Sequence, residues 1–314
     1  MAGRLSLLLR LVPMTSGYGH AAYAASLSDL GTPRFLDRSG GWILERPIEA
    51  SPYHDAMGCY PIFVCQDWSQ LQADLDQVEG LVCLSLVTDP FGNYDREILQ
   101  RCFPELVSSF KQHFVIDLSQ AYETFVDSHH RRNARKALTK VNVEECAHPP
   151  DVLDQWTELY GNLIKRHDIY GLQVFTRDSF RKQLGVPGIR VFKASSGDTT
   201  VGMILWYEHA NRSYYHLASY SDAGYELGAS FALFEHSIKY FAHRGFEWLS
   251  LGGGAGLEGE ESGLSRFKAG WSTGTRTAFF CGRIFDQTKY DEIVSAKGAL
   301  TTNYFPAYRL GEFA

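Results

Sequence analysis

The chain has 314 residues, of which 45% are hydrophobic, 21% charged and 14% aromatic. That balance excludes a disordered or low-complexity protein, and the length exceeds what one ordinary core fills, so two domains are expected. The formal net charge of −6 argues against a protein that coats nucleic acid. The charge is uneven: residues 1–125 hold 8 Lys+Arg against 15 Asp+Glu, leaving 22 against 21 for the rest, and no lysine precedes Lys111.

In chain order, Leu5 to Val12 reads as a strand, with Arg10 and Pro13 interrupting what would otherwise resemble a signal peptide. Residues 18–30 read as a short helix; 41–46 and 60–65 read as strands. Asp67 can cap a helix running over Trp68, Leu71 and Leu75. The apolar run 81–87 has strand length and ends at Asp89-Pro90-Phe91-Gly92. A helix is expected to about Phe110, then a strand over 113–118. The second half opens with a basic helix over about 121–140 and a strand over 141–146. Helices over 151–167 and 176–184 follow. Three strands, 189–194, 200–208 and 213–219, form a meander with turns at Gly197-Asp198 and Ala210-Asn211. Phe231, Phe234, Ile238 and Phe241 lie on one helical face, and Gly245 ends that helix. A strand over 246–251 runs into Gly252-Gly253-Gly254; a helix holding Phe267-Lys268, a strand over 275–285 and a last helix complete the order.

Six cysteines form no CxxC pair and read as buried free thiols of a cytoplasmic protein. No apolar run reaches the length of a membrane helix. GxxxxGK[ST], HExxH and GxSxG are absent, and the scattered histidines give no metal-ligand spacing, so no metal is expected.

The order of strands and helices after residue 120 matches the GNAT acyltransferase fold, in which a gap between two strands admits a carbonyl-bearing donor and a helix N-terminus meets a phosphate. Here the segment before that helix runs from Ser221 to Ser230, with Leu227, Gly228, Ala229 and Ser230 as the donor-binding candidates. Tyr225 or Glu226 stands where the common loop starts with Arg or Gln. The stretch 249–254, followed by Gly263-Leu264-Ser265-Arg266-Phe267-Lys268-Ala269-Gly270-Trp271, resembles the "LGG…gL…FK.gf" pattern of FemABX-like proteins, the peptidoglycan-bridge branch of the GNAT superfamily. Arg131-Arg132-Asn133-Ala134-Arg135-Lys136-Ala137, the strand segment 216–220 and the tail 304–309 resemble other parts of that group.

The resemblance implies an α/β chain of two tandem GNAT-like domains with mixed sheets flanked by helices: a degenerate unit at 1–120 and a FemABX-like unit at 121–314. It implies acyl or aminoacyl transfer from acyl-CoA or aminoacyl-tRNA to an amine, the acceptor being a small molecule or a cell-envelope precursor.

On physical grounds, acyl transfer to an amine passes through an oxyanion that one positioned cation can stabilise. Lys268, flanked by Phe267 and Trp271, is the catalytic candidate. Gly252 and Gly253 either admit the donor or simply make the turn. Arg131, Arg132 and Arg135 lie in an acid-free run, 129–140, that suits a phosphate-bearing substrate such as a tRNA acceptor end. Tyr220 is a further substrate-binding candidate, and His129-His130 read as structural or as a general base. Two other readings stay open: a GNAT-fold ligand- or partner-binding protein without catalysis, and an RNA-binding module built on the basic helix. The oligomeric state is not legible.

Overall fold

The computed structural model describes residues 14–168, 171, 174–254, 263–298 and 302–312; the strand expected at Leu5 to Val12 lies outside them. The first half contains α1 (Ala21–Ser26), β1 (Thr32–Leu36), β2 (Gly41–Pro47), β3 (His54–Gly58), α2 (Leu71–Leu75), β4 (Leu81–Val87), α3 (Arg96–Cys102) and β5 (Leu106–Asp117). The second contains α4 (Tyr122–Phe125), α5 (Ser128–Leu138), β6 (Asn142–Glu145), α6 (Leu153–His167), α7 (Arg177–Gln183), β7 (Ile189–Ser196), β8 (Thr199–His209) and β9 (Arg212–Tyr220). It continues with α8 (Asp222–Leu227), α9 (Ala229–His243), β10 (Trp248–Gly252), α10 (Gly263–Ala269), β11 (Gly274–Ile284) and α11 (Gln287–Ala296).

These strands form one mixed sheet in the order β1-β2-β3-β4-β11-β5-β10-β9-β8-β7-β6. Only β3–β4 and β9–β10 are parallel pairs among them. Two strands change places between the halves. β5, from the first half, lies between β10 and β11, while β11, the last strand, lies between β4 and β5. The β5–β11 ladder runs from Gly274↔Val115 to Gly282↔Leu106. The halves also interlock through α1, which packs on α7, with Ser179 Oγ donating to Ser26 O at 2.7 Å. The fold is mixed α/β, a large sheet flanked by helices.

On the second half of the sheet, one face buries Trp156, Phe180, Val191, Leu205 and Tyr207 under α1, α6 and α7. The opposite face buries Phe192, Trp206, Leu249 and Leu251 against Leu233, Phe234 and Phe241 of α9 and Trp271 after α10. Trp206 Nε1 donates to Ser237 Oγ at 3.1 Å, so the indole in this core keeps its hydrogen bond.

Several elements differ from the sequence expectation for clear reasons. The helix expected to about Phe110 stops at Cys102, because Pro104 bars Phe103 from helical geometry and the next residues extend into β5. Residues 60–65 form no ladder strand and hold only the bridge Phe63↔Thr88; Pro61 has no N–H to give a neighbour. β1 and β3, unforeseen, carry Pro33 and His54-Asp55, which lack a clean alternation. Gly228, at φ +73° in a conformation that favours glycine, stands at the N-terminus of α9, while the segment before it, expected as a loop, folds into the short helix α8.

Candidate active site

The strands β9 and β10 separate soon after they meet. Their parallel pairing covers only Trp248↔Arg212, Leu249↔Ser213 and Ser250↔Tyr214. β9 then runs on to Tyr220, whereas β10 bulges against β5 between Ser250 and Gly252 and turns at Gly252, where φ is +73°. The separation leaves Tyr215–Tyr220 without a ladder partner on the β10 side among the described residues. The turn after β10 and the helix α10 lie at its edge.

Lys268 of α10 reaches this edge. It is 4% exposed, and its ammonium donates to Gly253 O at 2.6 Å and lies over the Tyr215 ring at 5.2 Å from the centroid. A Cβ on Gly252 would stand 3.4 Å from Nζ, so the turn is close against the cation. From the other side, the stem of Lys111 on β5 covers Gly253, where a Cβ would come within 3.0 Å of Cδ. The glycines therefore make the turn and leave room for two lysines. Burial, with the charge of Lys111 added, lowers Lys268 to about 7; burial lowers Lys111 as well. His113, two residues along β5 from Lys111, is 8% exposed, and its Nδ1 is buried without a hydrogen-bond partner. Burial and the two lysines push it to about 3, so it is a neutral imidazole at physiological pH. Among the described residues, neither lysine pairs with a carboxylate.

α10 is held in place from α5. The His130 ring sits among Phe231 (5.3 Å), Phe267 (5.5 Å) and Trp271 (5.0 Å), and its Nε2–H donates to Phe267 O at 3.0 Å. Gly270 lies flat against this ring, leaving no room for a Cβ, and Asp127 N–H donates to Gly270 O at 3.0 Å. His130 thus fixes the residue preceding Lys268; it is a positioning group for the helix. His216 on β9 is equally closed: Nδ1 faces Tyr18 Oη and Nε2 faces Gln183 Oε1, both at 3.0 Å, and burial holds it at about 3.

The other sequence candidates lie on α8, α9, β9 and α5. Leu227 ends α8, and Ser221 caps the start of that helix by accepting from Gly224 N–H. Gly228 N–H is engaged by Tyr225 O at 3.2 Å, and Gly228 O accepts from Phe231 N–H. Ala229 is fully buried and Ser230 partly exposed at the N-terminus of α9, while Glu226 is exposed. Tyr220 is buried at the end of β9, its ring 5.4 Å from Tyr225, and burial drives its phenol well above the usual range. Arg166 of α6, unforeseen, stacks on Tyr225 at 4.1 Å and pairs with Asp222 at 3.3 Å. On α5, Ala134 and Ala137 face α9, with Ala137 against Gly228, while Arg132 and Arg135 are exposed. Arg131 donates to Glu123 O at 2.9 Å and Arg132 to His129 Nδ1 at 3.2 Å. No contact among the described residues joins these arginines to Lys268, whereas Gly252, Gly253 and Lys268 come together. Sequence reading missed Lys111, His113 and Tyr215; the alternation in Lys111-Gln112-His113 places both basic groups on one strand face, but nothing local places that strand beside α10.

Among the described residues, no helix is long and apolar enough to cross a membrane, and no group of three His, Cys, Asp or Glu is arranged to hold a metal ion. No curated protein matches the chain in sequence. Residues 127–268 match the acetyltransferase (GNAT) domain family. The crystal structure of FemX is similar at 14% identity and a TM-score of 0.65, covering 87% of this chain and 93% of that one. The C-terminal domain of a putative lysylphosphatidylglycerol synthetase from Agrobacterium fabrum is similar at 15% identity and 0.58, covering 88% and 91%. L-PGS from Bacillus licheniformis is similar at 16% and 0.59, covering 87% and 90%. With a GNAT domain at 127–268 and a FemX-like fold across the two halves, the chain resembles the FemABX-like branch of the GNAT superfamily.

Proposed function

We propose that this chain is an acyl- or aminoacyltransferase, working in the cytoplasm, that moves an acyl group from acyl-CoA or aminoacyl-tRNA to an amine. The amine belongs to a small molecule or to a cell-envelope precursor. The observation that carries the reading is a buried ammonium, Lys268, at the edge of the β9–β10 separation with a neutral backbone carbonyl as its hydrogen-bond partner. In the transfer, the amine nitrogen forms a bond to the donor carbonyl carbon, and the carbonyl electrons move onto oxygen. The Lys268 N–H donates to that oxyanion. The C–S or C–O bond to the carrier then breaks, and the carrier leaves with a proton given up by the amine. A cation already desolvated acts more strongly on developing charge than one in water.

The donor meets the α9 N-terminus at Leu227–Ser230 and the turn at Gly252-Gly253. Arg131, Arg132 and Arg135 take phosphates on the rim, and Tyr220 lines the acceptor side. The two units meet around these groups, 1–120 as a degenerate GNAT-like unit and 121–314 as the FemABX-like unit. No metal is needed for this step.

Native mass spectrometry of protein taken from cells, looking for a retained thioester or nucleotide, tests the donor. Incubation with labelled acyl-CoA or aminoacyl-tRNA and an amine panel tests transfer. Retention of a carrier without label transfer to any amine would favour the binding protein without catalysis, a reading that the exposed Glu226 beside the α9 N-terminus also serves.

A further inference from the structure

Lys111 is not explained by a lone catalytic lysine. It is partly buried, it stands against the same glycine turn as Lys268, and the two cations have no carboxylate between them among the described residues. The Lys111 stem lies along Gly253 and its ammonium over the Phe110 ring at 5.3 Å, and its charge adds to the burial that lowers Lys268. His113 adds a polar nitrogen with no partner in a nearly buried position. One strand over, Arg276 is the cross-strand partner of His113 and therefore lies on the same face. Its guanidinium is held between Phe91 at 4.8 Å and Trp248 at 4.7 Å. The groups at this place are Lys111 and His113 from β5 and Lys268 from α10, with the Tyr215 ring of β9 under the Lys268 ammonium; the Arg276 guanidinium is turned toward Phe91 and Trp248. Asp89, a buried carboxylate among the described residues, is engaged by Tyr214 Oη at 3.0 Å and Phe91 N–H at 3.0 Å, with the charges of Arg212 and Arg276 acting on it.

We propose that Lys111, His113 and Lys268 form a binding site for a phosphate group, with Lys111 as its principal ground-state contact. Lysine ammoniums act as point charges suited to phosphate, whether the singly charged diester of a nucleotide or a pyrophosphate. The transfer reading enters only in naming the source: the phosphate belongs to the acyl carrier, either coenzyme A or the terminal nucleotide of a tRNA. Lys111 then anchors the carrier while Lys268 serves the reacting carbonyl beside it. The divided roles explain why two cations are needed where one oxyanion forms.

Inorganic pyrophosphate is the probe, measured by calorimetry on the full chain without any acyl donor. Binding to wild type, weakened at least tenfold in Lys111→Met and largely restored in Lys111→Arg, is the expected result. Carbon-13 NMR of lysine side chains gives a second readout that needs no variant. Pyrophosphate should move the Lys111 and Lys268 signals and raise the pH at which Lys268 titrates. Competition separates the sources, since coenzyme A or a short RNA ending in CCA should displace the probe. Absence of pyrophosphate binding by wild type at millimolar concentration, or equal binding by Lys111→Met, would overturn the site. Phosphate binding here with no transfer from any carrier leaves the site standing and removes the transfer reading. Transfer activity without pyrophosphate binding or competition does the reverse.

Discussion

The ammonium of Lys268 is tied to Gly253 O at 2.6 Å, which fastens α10 to the turn that ends β10. The same bond brings the only charge of that side chain to the edge of the strand separation. The lysine that its sequence neighbours Phe267 and Trp271 singled out is in the fold a buried cation, 4% exposed.

Replacing Lys268 by Met removes the charge and keeps most of the stem's volume. Turnover at saturating donor should fall by roughly 10²-fold if the cation acts in the transition state. Because a buried charge is being removed, the melting temperature at pH 7 should hold or rise. A raised KM with unchanged kcat would instead make Lys268 a ground-state contact.

Stability should depend on pH through this group, with a definite sign. Lys268 titrates at about 7 in the folded chain against 10.5 ordinarily, so between those values the unfolded chain binds more protons and stability rises with pH. The slope from one such group approaches about 1.4 kcal/mol per pH unit. Buried thiols such as Cys59 and Cys281, pushed up to about 12, act in the opposite direction above about pH 9. Denaturant titrations from pH 7 to 8.5 should therefore show a gain in wild type that Lys268→Met lacks. If the catalytic form is the ammonium, the rate should fall as pH passes upward through the Lys268 titration.

Gly270→Ala should act at a distance on the same lysine. A methyl group there has no space beside the His130 ring, so either α10 or the ring must move. Overpacking of this kind costs about 1–3 kcal/mol. The variant should melt lower and lose turnover, while His130→Phe, which keeps the aromatic packing and drops the bond to Phe267 O, should cost only about 1 kcal/mol.

Ser230→Asp tests the α9 N-terminus. Ala229 is fully buried, so an acid there would test folding before binding. Ser230 is partly exposed in the first turn, where an acid is tolerated by the helix but repels a bound phosphate. Donor affinity should drop with an unchanged melting temperature; unchanged affinity would remove these amides from the donor site.

The C-terminal tail gives a prediction on stability alone. Arg309 donates to Asp55 from Nε at 2.7 Å and from a terminal nitrogen at 2.8 Å, and Tyr308 Oη donates to the same carboxylate at 3.0 Å. Asp55 is 1% exposed. Arg309→Met removes two hydrogen bonds from a buried carboxylate that keeps Tyr308 and has Arg46 Nε 3.7 Å away, and should cost about 1.5–3 kcal/mol, whereas Asp55→Asn in the same background should recover part of it.

Legibility in the sequence followed the range of the forces involved. The meander β7–β9, the amphipathic face of α9 and the apolar run of β4 carry their own periodicity, and each formed close to its expected bounds. Lys268 and the glycine turn are near neighbours in sequence, so their meeting was readable. Lys111 lies more than a hundred residues from Lys268, and only the insertion of β5 between β10 and β11 brings them together. No local pattern encodes that pairing. The short helix α8 was hidden for another reason: residues 222–227 carry no apolar periodicity, and the small and polar residues there read as a loop before α9.

The exchange of β5 and β11 also bears on how the chain comes into being. During synthesis from the N-terminus, β4 and β5 emerge long before β11, the strand that pairs with both. Until then the nascent sheet holds two open edges and cannot close its first half. Joining the two halves of the sheet therefore waits on β11, which acts as a keystone between β4 and β5.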